Sequence, residues 1–218
     1  MSTQKTINVW DPLVRVFHWS LALFFVISYA SGEEESLLHP WSGYAISTLL
    51  LVRLVWGFIG PKHARFSDFV YSKTQIISYA KGLINGDAKC YIGHNPLGGL
   101  MVVVLLVSLL MNVTTGMLLY GAEEGKGPLA GMMAQQSSLQ LPQFIRTAQA
   151  DDDERNHDND SGKKGDDENE FLEETHEFFA NFTLLLVMVH LVGVFVSSAF
   201  HRENLIKAML SGKKRARL

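Results

Sequence analysis

Two histidines in the last apolar run of this chain have the spacing to serve two metal centres. The run reads HEFFANFTLLLVMVHLVGVFVSSAF from His176 to Phe200, and from Phe178 onward it holds no residue charged at neutral pH. As a helix it is long enough to cross a bilayer. His176 and His190 are 14 residues apart, which is nearly four turns. Their imidazoles therefore leave nearly the same face, roughly 21 Å apart along the axis. One lies near each side of a membrane. Ionisable groups inside a membrane are costly and rarely face lipid, so both are expected to point into the protein. The simplest occupants are two metal centres, one above the other, and haem iron is the common one that takes axial histidine.

Such centres need ligands from other helices, and the composition supplies the helices. The chain has 218 residues, 47% of them hydrophobic. Four apolar runs stand among polar connections: about Leu13–Ala30, Trp41–Ile59, Leu97–Tyr120 and Phe178–Phe200, each near the length of a spanning helix. The net charge of −3 says little, because the two signs are separated along the chain. The one cysteine, Cys90, excludes an intrachain disulfide and a CxxCH attachment. Any haem is then held by coordination alone, as haem b. Lys and Arg concentrate in the N-terminus, the Pro61–Asn95 connection and the C-terminus. That bias places both termini in the cytoplasm. A cleaved signal peptide ending near Tyr29–Gly32 is the rival reading of the first run; His18 inside the run argues against it.

The spans place further candidates. Asp11-Pro12 reads as a helix start, with Asp as cap and Pro in the first turn. Trp10 and Trp19 suit the headgroup level. His18 lies early in the first span: an interfacial histidine, or a haem ligand with Arg15 near a propionate. His39-Pro40 opens the second span at its opposite end, where His39 is either a surface histidine or a ligand. Arg53 lies in the second span and could snorkel or meet a propionate or a quinone oxygen. Gly43, Gly57 and Gly60 can admit a flat cofactor or a close helix. Residues 72–84 read as an amphipathic helix on the membrane surface, and His63 reads as a solvated loop histidine. His94, before the third span, could bind a propionate or quinone, or cap the helix. Asn112, Thr114 and Thr115 can bond across helices. The connection 121–171 carries an acidic insert: from Asp151 to Glu174 there are twelve Asp or Glu against three Lys or Arg. It is expected to be disordered. The basic tail from Lys213 to Arg217 suits anionic lipid headgroups.

Because alternate spans run in opposite directions, the histidines fall into two depth-matched pairs: His18 with His190, and His39 with His176. Helix bundles build cofactor sites in this way. The expected architecture is an all-α integral membrane four-helix bundle, with spans at about 13–30, 41–59, 97–120 and 176–200. It adds an interfacial amphipathic helix and a disordered acidic periplasmic loop. Residues 1–120 and 172–218 form the transmembrane domain.

The pattern resembles the bacterial cytochrome b561 family, which includes the cytochrome b subunit that anchors nickel-iron hydrogenases. The resemblance rests on Arg15-x-x-His18-Trp19, His39-x-x-x-Gly43, Arg53, Ala64-Arg65-Phe66, the stretch from Gly93 to Gly99, and His176-Glu177 with Asn181 and His190. It covers nearly all of the chain except the acidic insert. It implies a four-helix protein with two haem b groups in the bacterial inner membrane. It also implies electron transfer between the quinone pool and a periplasmic redox partner. The family's iron ligands fall on His18, His39, His176 and His190. Arg15, Arg53 and His94 are further cofactor-binding candidates. The expected partners are membrane lipid, a quinone or quinol, and a periplasmic c-type cytochrome or hydrogenase-like subunit; no nucleic acid is expected. The chain reads as an electron-transfer protein or a subunit of a complex rather than a stand-alone enzyme. Two other readings stay open. A superoxide:quinone oxidoreductase would need a basic outer funnel, which the acidic loop opposes. A non-redox membrane anchor would use its histidines only for packing.

Overall fold

The computed structural model describes residues 6–32, 36–131, 160–201 and 204–215. The elements in order are β1 (Thr6–Asn8), α1 (Pro12–Ala30), α2 (Leu38–Ile59), a short 3-10 turn (Phe66–Asp68), α3 (Lys73–Asn85), α4 (Pro96–Glu124), α5 (Asp160–His201), α6 (Leu205–Ser211) and β2 (Lys213–Arg215). Four helices are long and apolar enough to cross a membrane: Pro12–Ala30, Leu38–Ile59, Pro96–Glu124, and Asn169–Phe200 within α5. This is a helical, multi-span membrane protein. The chain forms two compact units, Met1–Leu110 with Phe182–Leu218, and Met111–Asn181.

In the first unit α1 packs on α2. Helix α2 buries Ser42, Ile46, Leu50, Arg53 and Gly57, a stripe spaced three and four residues apart along one face. Arg53 is thus carried inward by its register between Leu50 and Gly57. From α1, Val14, Phe17 and Phe25 are buried. The other faces expose Val16, Leu23, Leu51, Val55 and Phe58, the side chains that lipid would cover. Asp11 stands at the N-cap of α1, but its carboxylate makes no cap bond there. Asp11 Oδ2 instead accepts the indole N–H of Trp56 at 2.6 Å, which ties the start of α1 to the end of α2. A hydrogen bond to a charged group contributes about 1.5–3 kcal/mol, more than a typical cap. Ser108 on α4 and Thr183 on α5 share a buried hydroxyl hydrogen bond of 2.7 Å.

The connection between α2 and α4 is folded. Ser72 and Gln75 form a capping box at the start of α3. At α4 the cap is Asn95, whose Oδ1 accepts the Gly98 N–H at 2.7 Å; His94 is not the capping residue. A side chain at Gly57 would collide with Phe66, and one at Gly60 with Trp56, so both serve local close packing.

The chain ends depart from the all-helical expectation. β1 and β2 pair antiparallel, with Thr6 opposite Arg215 and Asn8 opposite Lys213. Part of the basic tail is therefore ordered strand, and Lys214 Nζ donates to the Tyr91 carbonyl at 3.1 Å. A chain with four spans brings its ends to one side, as this pairing requires.

The second unit holds the C-terminal part of α4 and the beginning of α5. The acidic stretch is a correction in part. Residues 132–159 lie outside the described residues, but from Asp160 the chain is already helical and continues into the span. An apolar span supplies a nucleus onto which Glu- and Lys-containing turns can propagate at little cost.

Candidate functional site

In the first unit, α1 contributes His18 and α5 contributes His190. Their ring centres are 6.4 Å apart with the planes at 55°. Trp19 stands edge-on to His18 at 5.2 Å. His18 Nδ1 is buried and makes no hydrogen bond. Two imidazoles presented to each other without a carboxylate or thiolate suit a metal that needs only axial ligands. Among the described residues no cluster of three or more His, Cys, Asp or Glu could hold an ion by itself.

Arg15 does not simply reach outward. Its Nη1 donates to the Leu210 carbonyl at 2.6 Å, clasping α1 to α6, while its Nε is buried and unbonded.

A second group of polar side chains lies in the same unit. Arg53 is 3% exposed and lies over the rings of Phe66 and Phe69, at 5.1 and 5.7 Å from their centres. Its Nη1 has no hydrogen-bond partner among the described residues. Phe69 also borders His94, with ring centres 4.8 Å apart, and Trp10 meets His94 edge-on at 4.7 Å. The His94 side chain is partly accessible, but its Nδ1 is enclosed and unbonded. Burial, then the nearby Arg53, His63, Lys214 and His190, push the His94 pKa down to about 3. Its imidazole is therefore neutral at physiological pH. Arg53 and His94 both border Phe69, and each has a buried nitrogen without a hydrogen-bond partner among the described residues.

His39, in the first turn of α2, donates from Nδ1 to the Ser28 carbonyl of α1 at 2.9 Å. Gly43, one turn on, has open space where a side chain would project. In the second unit His176 has Nδ1 3.0 Å from the Asn112 carbonyl and 3.2 Å from Thr115 Oγ1. Asn112 thus reaches His176 through its backbone carbonyl. In both histidines an Nδ1–H bond to a carbonyl puts the lone pair on Nε2, the arrangement found in metal-ligating histidines. Gly116 lies against the His176 ring: a Cβ there would come 2.7 Å from Cε1. The sequence reading passed over Gly116, because a glycine in an apolar helix shows what it admits only once its neighbour across the gap is known.

A family model for prokaryotic cytochrome b561 matches residues 9–212. The chain is 27% identical to the probable Ni/Fe-hydrogenase B-type cytochrome subunit of Azotobacter chroococcum mcd 1, over 58% of this chain and 65% of that protein. It is 29% identical to that of Azotobacter vinelandii, over 57% of this chain and 62% of the relative. To the protein of the same description from Rhodobacter capsulatus it is 24% identical, over 57% and 58%. The matched stretch spans less than two thirds of the length of these curated relatives. No solved structure matches the chain. Four spanning helices and a match over nearly the whole length agree: the chain belongs to the prokaryotic cytochrome b561 family, whose cofactors are two haem b groups.

Proposed function

We propose that this chain is a membrane-embedded di-haem b-type cytochrome that carries electrons between the quinone pool and a periplasmic redox partner. The separation of His18 from His190 carries the reading. A metal held between two imidazole nitrogens, with bonds of about 2 Å to each, would place the ring centres roughly 6 Å apart. The two ring centres here stand 6.4 Å apart. These residues fit one haem. His39 and His176 are the proposed ligands of the other. Their matched depth in sequence supports this, as does the Nδ1–H bond that each makes to a carbonyl. When bound, a haem with histidine on both axial positions exchanges single electrons and takes no further ligand. The residues hold it, orient it and keep water from it. The buried, unbonded Nε of Arg15 and Nη1 of Arg53 are donors suited to propionate or quinone oxygens.

The quinone headgroup is assigned to the aromatic-walled cradle of Arg53 and His94. The excess of Lys and Arg on one set of connections supports a cytoplasmic location for both termini, in a bacterial inner membrane. Helix α3, which exposes Ile77 and Ile84 beside Lys73 and Lys81, is proposed to lie in the membrane interface. On the other side the relatives' description points to a hydrogenase-like subunit as partner, and a basic c-type cytochrome is the other candidate.

Two measurements test the reading. Pyridine haemochrome assay of the purified chain is expected to give about two haems, all extractable by acid-acetone because no CxxCH is present. A value near zero, or haem that stays with the polypeptide, contradicts it. Deleting residues 151–168 is expected to slow electron transfer to a basic periplasmic partner at low salt and to flatten its salt dependence, with haem content unchanged. An unchanged rate and salt dependence would make the acidic stretch a spacer.

A further inference from the structure

His63 stands where a loop histidine has no need to be strained. Its φ is +72°, the only positive value at a residue other than glycine among the described residues. That conformation is costly for a residue with a side chain and persists only where surroundings enforce it. Two bonds enforce it here. The Ala64 N–H donates to the Pro61 carbonyl at 3.0 Å, and the His63 N–H donates to Asp68 Oδ2 at 3.0 Å. The effect is to turn the His63 ring inward against Gly93. A Cβ on Gly93 would come 2.9 Å from His63 Nδ1, so glycine is what lets the ring lie there. The next residue is His94, whose Nδ1 is enclosed and unbonded. His63 itself is half-buried, so one side of it meets water.

We propose that His63 is the proton carrier between cytoplasmic water and the quinone cradle, handing protons to and from His94. The inference rests on the quinone assignment above. A quinone that takes up two electrons also takes up two protons and becomes a quinol. A haem held by His18 and His190 would supply or accept the electrons one at a time. The protons come from water through His63 and His94, and two O–H bonds form on the ring oxygens. Quinol oxidation runs the same path outward, with both O–H bonds broken and both protons released to water. Charge placement favours the arrangement. Arg53 from α2, Lys214 from β2 and His190 from α5 face His94 together with His63. Burial first, and the positive charge around it second, disfavour the protonated form of His94, so it does not store a proton. A second imidazole nearer water is therefore needed to pass it on. Asp68 faces the backbone of His63 and fixes its position.

The test uses the full haem-loaded chain and a short-chain quinol as the probe. His63→Gly removes the imidazole while relieving the backbone. Haem reduction by quinol is expected to slow roughly ten- to a hundredfold, with haem content and midpoint potentials unchanged. The solvent deuterium isotope effect should rise, and added imidazole should restore part of the rate. A merely structural role predicts no isotope change and no imidazole rescue. His63→Gly at the wild-type rate, with His94→Gln slowed, overturns the relay and leaves the quinone cradle standing. Wild-type rates in both His94→Gln and Arg53→Gln overturn the cradle, and the relay with it.

Discussion

Replacing His190 with alanine is expected to reduce haem content from about two per chain to about one. The missing component should be the same one that His18→Ala removes. The two imidazoles lie 6.4 Å apart on α1 and α5, a spacing that one metal ion would bridge. Redox titration followed in the visible spectrum should show one component gone and the other close to its original potential. If either single change leaves both components with unaltered bis-histidine spectra, the assignment of His18 and His190 as a pair is wrong. If the two changes remove different components, the pairing is wrong although each is a ligand.

Gly116→Leu is expected to abolish binding of the other haem without touching any ligand. A Cβ alone at Gly116 would come 2.7 Å from Cε1 of His176, and leucine adds three more carbons in that direction. The ring cannot simply give way. Its Nδ1 is tied to the Asn112 carbonyl at 3.0 Å, one turn before Gly116, and to Oγ1 of the adjacent Thr115 at 3.2 Å. Turning the imidazole away breaks those bonds and re-aims Nε2. Ligand orientation of this kind typically changes metal affinity by about 10–100-fold. Gly116→Leu should therefore match His176→Ala in its spectrum and keep the component that depends on His190. Gly116→Ala should show a smaller loss. Retention of both components in Gly116→Leu would show that His176 is not held as a ligand by this wall of α4.

What could be read in the sequence follows from short-range physics. A bilayer imposes a length and an apolar composition on each span, so all four spanning helices were legible from their hydropathy alone, although the fourth begins well before His176. Helical periodicity placed His176 and His190 on one face, and alternating direction matched His18 with His190. The amphipathic pattern likewise marked α3, whose capping box of Ser72 and Gln75 only the structure revealed.

What only the tertiary structure decided concerns groups whose partners are remote in sequence. Asp11 looked like a cap, but Trp56, 45 residues away, offers it an indole N–H. Arg15 looked free for a cofactor, yet one nitrogen belongs to the Leu210 carbonyl at the far end of the chain. The basic tail looked like a lipid anchor, but its first residues pair with β1. Gly57 and Gly60 could serve a flat cofactor or a close neighbour, and Phe66 and Trp56 are the close neighbours, while Gly116 meets His176. His63 looked solvated until its inverted φ turned it against Gly93. The acidic stretch looked too polar to fold, yet from Asp160 it is carried as helix by the span that follows. A residue type announces which bonds it can make; which of them it does make depends on what the folded chain brings within about 3 Å.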